Sequence, residues 1–404
     1  MKNKILAIGC LLAVSLSSTF AQGVLTPPGA PAPTMKTLDQ IESRIPISAL
    51  PYTISTPGSY YVITNLLVGV NDGIVITANN VTLDLNGFTI SSVQNPPTFG
   101  KAIALGSGSG PVANITIRNG CITSGVTNNG TTFGGNGFAY GIFQFGGQPA
   151  VNVHVSDVTV SGCLYVGIHL GGSNTVVESC CVNTAGSYGI YAQTISGSTA
   201  VNCGSYGIYA TGSANNCSGT GIINGSGLIA GTAHNCFGYS RSGTGLSAAS
   251  AENCYGTSST GTGLSATSAA NCSGSSTSGT GLAASIAQND YGTSSTGTGL
   301  YASSTAINCY GSSTSGTGIS ANIAQGCYGL SNGQSGFGIY ATSTHNCFGN
   351  SSSSGIGIYA TSIAIGCVGY SNSGTGIYAF IANSCNGQTS SGTGLSFTHN
   401  VNSF

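Results

Sequence analysis

The sequence predicts an all-β chain wound as a right-handed parallel β-helix, a solenoid with coils of about 18–22 residues and a short N-terminal capping helix. Three observations carry this. A G-x-G-[L/I] element recurs with its second glycine at 245, 263, 281, 299, 318, 338, 357, 376 and 394. A second element ends in Cys at 236, 254, 272, 309, 327, 347, 367 and 385, with Asp290 in the one slot where cysteine is missing. Both markers advance in phase over eight steps of 18 to 20 residues, which low-complexity composition alone does not produce. The third observation is the 65 glycines among 404 residues, a density that helix interiors do not tolerate at ~1 kcal/mol each.

In chain order, residues 1–21 read as an export signal: Lys2 and Lys4 precede an apolar run over 5–16, and Thr19-Phe20-Ala21 supplies small residues for cleavage after Ala21. The expected mature protein is secreted or held at the cell surface. Residues 22–36 are a Pro-rich linker. Over 37–48 the capping box of Thr37 with Gln40, and Leu38, Ile41 and Ile45 on one face, predict the short helix. From 49 to 200, segments such as YYVITNLLV, GIVITANNVTLDLNGFTI, ANITIRNGCI and VNVHVSDVTV are strands of coils that carry loop insertions. From 201 to 404 the coils become regular and rich in Gly, Ser, Thr and Cys. At ~4.8 Å per coil, roughly seventeen coils would stack to ~80 Å.

Within a regular coil the alternation assigns each position. In GTGLSA or GIGIYA the Leu or Ile points inward, the next residue outward and the Ala inward. The third residue before each Cys slot is Ala or Thr and hence interior, whereas the second is variable and hence exterior. Asn before the Cys (Asn235, Asn253, Asn271, Asn289, Asn308, Asn346) suits a left-handed corner with stacked amides. Glycine two residues after each slot predicts a second bend.

The segment TMKTLDQIESRIPISALPYTISTPGSYYVITNLLVGVNDGIVITANNVTLDLNGFTI resembles the N-terminal region of secreted right-handed β-helix proteins of the pectate-lyase-like superfamily. The Gly-Ile-Tyr and Asn-Cys coils from Gly189 onward are similar to that superfamily's generic repeats. The resemblance implies the fold and its hand. It leaves activity open, since the superfamily includes polysaccharide lyases and hydrolases, phage tailspikes and adhesins.

Two candidate sites follow. Aligning the early coils on Asn80, Asn114, Asn152 and Asn174 places Asp84, Arg118, Ser156 and Glu178 in one column with neighbours ~5 Å apart. Asp84, Arg118 and Glu178 are the catalytic candidates of a lyase, with the arginine as base, or of a glycosidase with paired carboxylates, and the insertions over 91–110 and 121–150 would wall the cleft. The same residues also read as a structural charge ladder. The second candidate is a pair of outward aromatic stripes, Tyr301, Tyr340, Tyr359 and Tyr378 after the inward Leu or Ile, and Tyr255, Tyr291, Tyr310 and Tyr328 after the Cys slot. Tyrosines beside hydroxyls and amides suit repeated weak contact with a polysaccharide or cell-surface glycan.

With 7 Lys and Arg against 8 Asp and Glu, the chain has no electrostatic footprint for nucleic acid or anionic membrane. No further stretch approaches the ~20 apolar residues of a spanning helix. The five histidines are scattered without partners at metal spacing, and no cofactor is called for. Cysteines stacked ~4.8 Å apart exceed the ~3.5–4.5 Å that a disulfide wants, so a column of buried thiols is the expectation, with vertical disulfides as the alternative. Asp290 in that column is expected to turn outward at a local defect, with burial and a raised pKa as the alternative. The sequence thus predicts a non-catalytic glycan-binding or surface-structural protein, with a polysaccharide lyase or hydrolase as the alternative.

Overall fold

The computed structural model describes residues 42–95, 97, 99–106, 110–144 and 149–404. The expected signal over 1–21, the linker and residues 37–41 of the expected helix lie outside these. The chain divides into two units, Met1–Arg44 and Ile45–Phe404. In the described part of the first, Arg44 grips Glu42 through Nε–Oε1 and Nη2–Oε2 contacts, each of 2.8 Å.

The second unit is a parallel β-solenoid of about eighteen turns. The part of the expected helix that is described is not helical: Ile45–Ile47 is a strand, paired parallel with Gly58–Val62. Pro46 accounts for this, because it has no N–H to donate and disfavours helical dihedrals at Ile45 before it. Among the described residues no helix is long and apolar enough to cross a membrane.

Each coil presents three faces. In a regular coil one bent strand, such as Leu264–Ala270, forms the first and second faces, and a short strand, Ser273–Ser276, forms the third. Every face pairs in parallel register with the coils on either side, as in Leu246↔Leu264↔Leu282 and Gly256↔Gly274↔Gly292. The expected interior columns are found. Leu or Ile fills the first face from Ile74 to Ile377, and Ala or Thr fills the second from Ala214 to Ala382. The left-handed corner is also found, with φ of 50° to 55° at the six asparagines from Asn235 to Asn346 and 62° at Gly326 between them.

The third face tapers. Its interior column runs Leu66, Ile90, Ile122, Val160, Val182, Ala200, Gly219 and then glycine in every coil to Gly387. The glycine two residues after the Cys slot therefore lies mid-strand, and the bend expected there is absent. A Cβ on Gly274 would stand 2.3 Å from the carbonyl oxygen of Gly281 across the coil, and one on Gly263 would stand 2.4 Å from that of Ser275. The two walls meet backbone to backbone.

The fourteen described cysteines are all free thiols. Cys217 to Cys385 form the expected buried column, at the second corner; Cys203 belongs to the third-face column with Cys163 and Ala185. Burial pushes the Cys163 and Cys203 thiols up to about 12. Some slots accept the N–H of the slot before them: Cys327 N donates to Cys347 Sγ at 3.4 Å, Cys347 N to Cys367 Sγ at 3.5 Å, and Cys180 N to Ser198 Oγ at 3.1 Å. Asp290 does the same from within the column, so the local defect expected there does not occur. It is 2% exposed. Its Oδ1 accepts from Cys272 N at 2.7 Å and its Oδ2 from Gln288 N at 3.0 Å. A carboxylate offers this corner more acceptors than a thiol, which is why it turns in.

A serine column, missed in the sequence although it stands four residues after each Cys slot from Cys236 to Cys367, closes the turn after the third face. Ser258 Oγ donates to Gly243 O of the previous coil at 2.7 Å and accepts from Gly261 N at 2.9 Å. Ser276, Ser294 and Ser313 repeat both bonds. Ser258→Ala is expected to leave a buried carbonyl and an N–H unsatisfied and to cost about 1–3 kcal/mol in denaturant unfolding. An unchanged midpoint would show that water takes over both bonds.

Candidate functional site

The charge column exists in the expected register, Asp84↔Arg118↔Ser156↔Glu178. It ends the second face at the corner, and an Asn ladder runs along the other end of that face. Asn114 Nδ2 donates to Asn80 Oδ1 at 2.7 Å, and Asn152 and Asn174 continue the chain at 2.9 and 3.0 Å. The column brings only two of the three candidates together. Asp84 is 7% exposed. Its Oδ2 meets Arg118 Nη2 at 3.2 Å and Nε at 3.3 Å, while Oδ1 accepts from Asn86 N at 2.8 Å and Asn119 Nδ2 at 3.3 Å. The carboxylate is thus committed to the corner it stabilises. The Arg118 side chain is half exposed.

Glu178 stands apart, beyond Ser156, and faces His154 diagonally across the register at 3.4 Å, Oε2 to Nε2. This partner was missed because it occupies a different column. The pair borders a shallow depression of about 340 Å³ lined by Asn152, Val153, His154, Asn174, Val176 and Glu178. No described residue of 121–150 lines it. That region instead supplies a third-face strand, a first-face strand at Tyr140–Gln144, and a small hairpin of Thr127–Asn128 with Phe133–Gly134. The hairpin is tied down by Asn128 Nδ2 donating to Asn202 Oδ1 at 2.8 Å.

The aromatic stripes are outward, as the alternation requires, and their rings stack on one another. Tyr359 lies between Tyr340 (5.4 Å, 6°) and Tyr378 (4.8 Å, 5°). Tyr310 lies between Tyr291 (4.8 Å, 7°) and Tyr328 (5.3 Å, 9°), and Phe348 covers the far side of Tyr328. Ring faces inside a ladder are therefore occupied, and only edges and hydroxyls meet solvent. Open faces remain where a small residue interrupts the column. Tyr255 and Tyr291 both look onto Ser273, and Tyr340 looks onto Ser320. Tyr301 has Ala283 on one side and Ser320 on the other, so both its faces are open, and it is 45% exposed. Against it lies a depression of about 200 Å³ with Ser265, Ala266, Ala283, Ala284, Ser285 and Ser303 in its lining.

The first-face stripe also extends beyond Tyr301, Tyr340, Tyr359 and Tyr378. Phe143, His169, Tyr191 and Tyr209 occupy the same outward column in four earlier coils, with His169 stacked 4.7 Å from Tyr191. The G-I-Y-A motif at 189–192 and 207–210, identical to that at 338–341, was the available signal. Burial between the rings holds the His169 imidazole below its ordinary range. Among the described residues no three His, Cys, Asp or Glu side chains gather as a metal site would need.

No protein-family model and no curated protein matches the chain. Among solved structures, the A-module of a mannuronan C-5 epimerase from Azotobacter vinelandii is similar over 86% of this chain and 90% of that one, at 13% identity and a TM-score of 0.29. A likeness at that score carries no argument about what this chain does.

Proposed function

We propose that this is a non-catalytic, exported glycan-binding or surface-structural protein, whose contacts with sugar are made by the open faces of its interrupted tyrosine ladders. The observation that carries the reading is Tyr301, an exposed ring with both faces free and a hydroxyl-lined depression beside one of them. A pyranose presents an apolar C–H face to such a ring and its hydroxyls to the neighbouring serines. The surface around it carries almost no charge to compete.

Retention on immobilised polysaccharides tests this. Tyr301→Ser is expected to weaken retention about three- to tenfold, the worth of one aromatic stacking contact. Tyr359→Ser, whose ring faces are both covered, is expected to leave it nearly unchanged. Equal effects of the two, or no polysaccharide retained at all, would overturn the reading.

One observation favours the alternative of a polysaccharide lyase or hydrolase: an imidazole and a carboxylate, His154 and Glu178, stand together at the border of a depression, both side chains partly exposed. The same polysaccharides incubated with the protein would then yield shortened or unsaturated products, and Glu178→Gln would lower that yield by at least ~10²-fold.

A further inference from the structure

Seven Lys and Arg serve the whole chain, and four of them are described. Three are committed to carboxylates: Arg44 to Glu42, Lys101 to Asp72 and Arg118 to Asp84. Among the described residues Arg241 alone has no carboxylate within ion-pair distance of its guanidinium. It also stands where its column has no use for an arginine. The position following the inward serine is Ser259, Thr277, Ser295 and Thr314 in the next four coils, all closing the same turn. In the coils at 222 and 241 that position is Ile222 and Arg241, and the next residue of the earlier coil is Ile223. These exceptions meet at one place, a depression of about 310 Å³ that includes Ile222, Ile223, Arg241, Ser242 and Thr260 and is bounded by Thr131 at the tip of the hairpin.

We propose that this depression is a subsite for an acidic sugar, a pyranose bearing a carboxylate, with Arg241 as its ligand. The guanidinium fork is planar and matches a carboxylate in two parallel hydrogen bonds. Ile222 and Ile223 supply an apolar wall for the C–H face of the ring. Ser242 Oγ and Thr260 Oγ1 already donate to the Ile223 and Ser242 carbonyls, at 2.7 and 3.4 Å, so both oxygens are turned to accept from sugar hydroxyls. The subsite rests on the glycan reading above and adds a chemical class to it, since the tyrosine faces by themselves do not distinguish neutral from acidic rings.

The test is calorimetric titration of the full chain with galacturonic-acid oligomers, glucose oligomers of equal length and sulfated dextran. The expected result is binding of the acidic oligomers that Arg241→Gln weakens about fivefold or more, with Arg241→Lys intermediate because charge without the fork restores only part of the contact. Binding of glucose oligomers should be indifferent to both changes. Equal affinity of the Arg241→Gln variant for galacturonic-acid oligomers overturns the subsite and leaves the tyrosine reading standing, as does tight binding of sulfated dextran without binding of the uronate oligomers. Binding of none of the three overturns both.

Discussion

Gly274→Val is expected to open the solenoid. The first carbon of the new side chain would lie 2.3 Å from the Gly281 carbonyl oxygen and 2.7 Å from its carbon, inside contact distance of backbone that is itself pinned on both sides by neighbouring coils. A flexible side chain could swing away, but a strand held in parallel register cannot move without breaking two ladders. Overpacking into a yielding core costs ~1–3 kcal/mol, and this clash exceeds that range because nothing in the cross-section yields. Solenoid stability is nearly a sum of local terms, so the damage should be local. Limited proteolysis should cut the variant between residues 255 and 300 while leaving the parent chain intact. Ser273→Ala, on the same strand but facing outward, is the control and should change nothing. An uncut Gly274→Val variant with unaltered melting would refute the backbone-to-backbone description of these coils.

The second large effect belongs to Asp290. Burial raises its carboxyl from 3.8 to about 6, against the two N–H groups that hold its charged form. A carboxyl group whose folded pKa lies above its unfolded value binds its proton more tightly in the folded state. Its contribution is therefore fully present below about pH 4, is lost as pH rises toward 6, and stays lost above that. The size of the loss is about 3 kcal/mol, from the shift of about two units. Asp290→Cys restores the residue that its column uses elsewhere, with precedent in Cys347 and Cys367 as N–H acceptors. The variant should be markedly more stable than the parent at pH 7.5 and should lose most of that advantage at pH 4. Melting temperatures of both chains across this range decide the matter. A difference that does not vary with pH would mean the carboxylate carries no burial penalty.

These two residues also mark what the sequence made legible. The period, the inward Leu and Ala columns and the Asn corner follow from alternation and spacing, because regular coils repeat the same chemistry at the same step. The taper did not, since Leu66, Ile90, Ile122 and Val160 are separated by coils of unequal length and align only once hydrogen-bonded register is known. Asp290 was misplaced because a lone carboxyl in an apolar column reads as a charge to expel, whereas two backbone donors waited for it. The helix expected over 37–48 weighed a capping box and gave no weight to Pro46. At the candidate sites, the Asp84–Arg118 contact was legible as a same-column pair, but Glu178 found its partner His154 along a diagonal. Outward tyrosines were predicted; which of their faces remain open depends on Ser273, Ser320 and Ala283, single residues whose meaning appears only when the rings are seen stacked.

Because the third face shrinks from Leu66 to Gly219 and stays glycine thereafter, the two halves of the stack should respond differently to temperature. Unfolding an N-terminal coil hydrates Ile and Val side chains from three faces, and hydrated hydrocarbon raises heat capacity. Unfolding a C-terminal coil hydrates one Leu or Ile, two small residues that are mostly Ala, a thiol and a large share of peptide groups, whose hydration lowers it. The heat-capacity increment of the C-terminal coils should fall below the ~12–15 cal/mol/K per residue of ordinary domains. A small increment flattens the dependence of free energy on temperature. The glycine-walled coils then keep whatever stability they have in the cold as well as in the heat, while the Ile- and Val-filled coils pass through the usual maximum and weaken on either side of it.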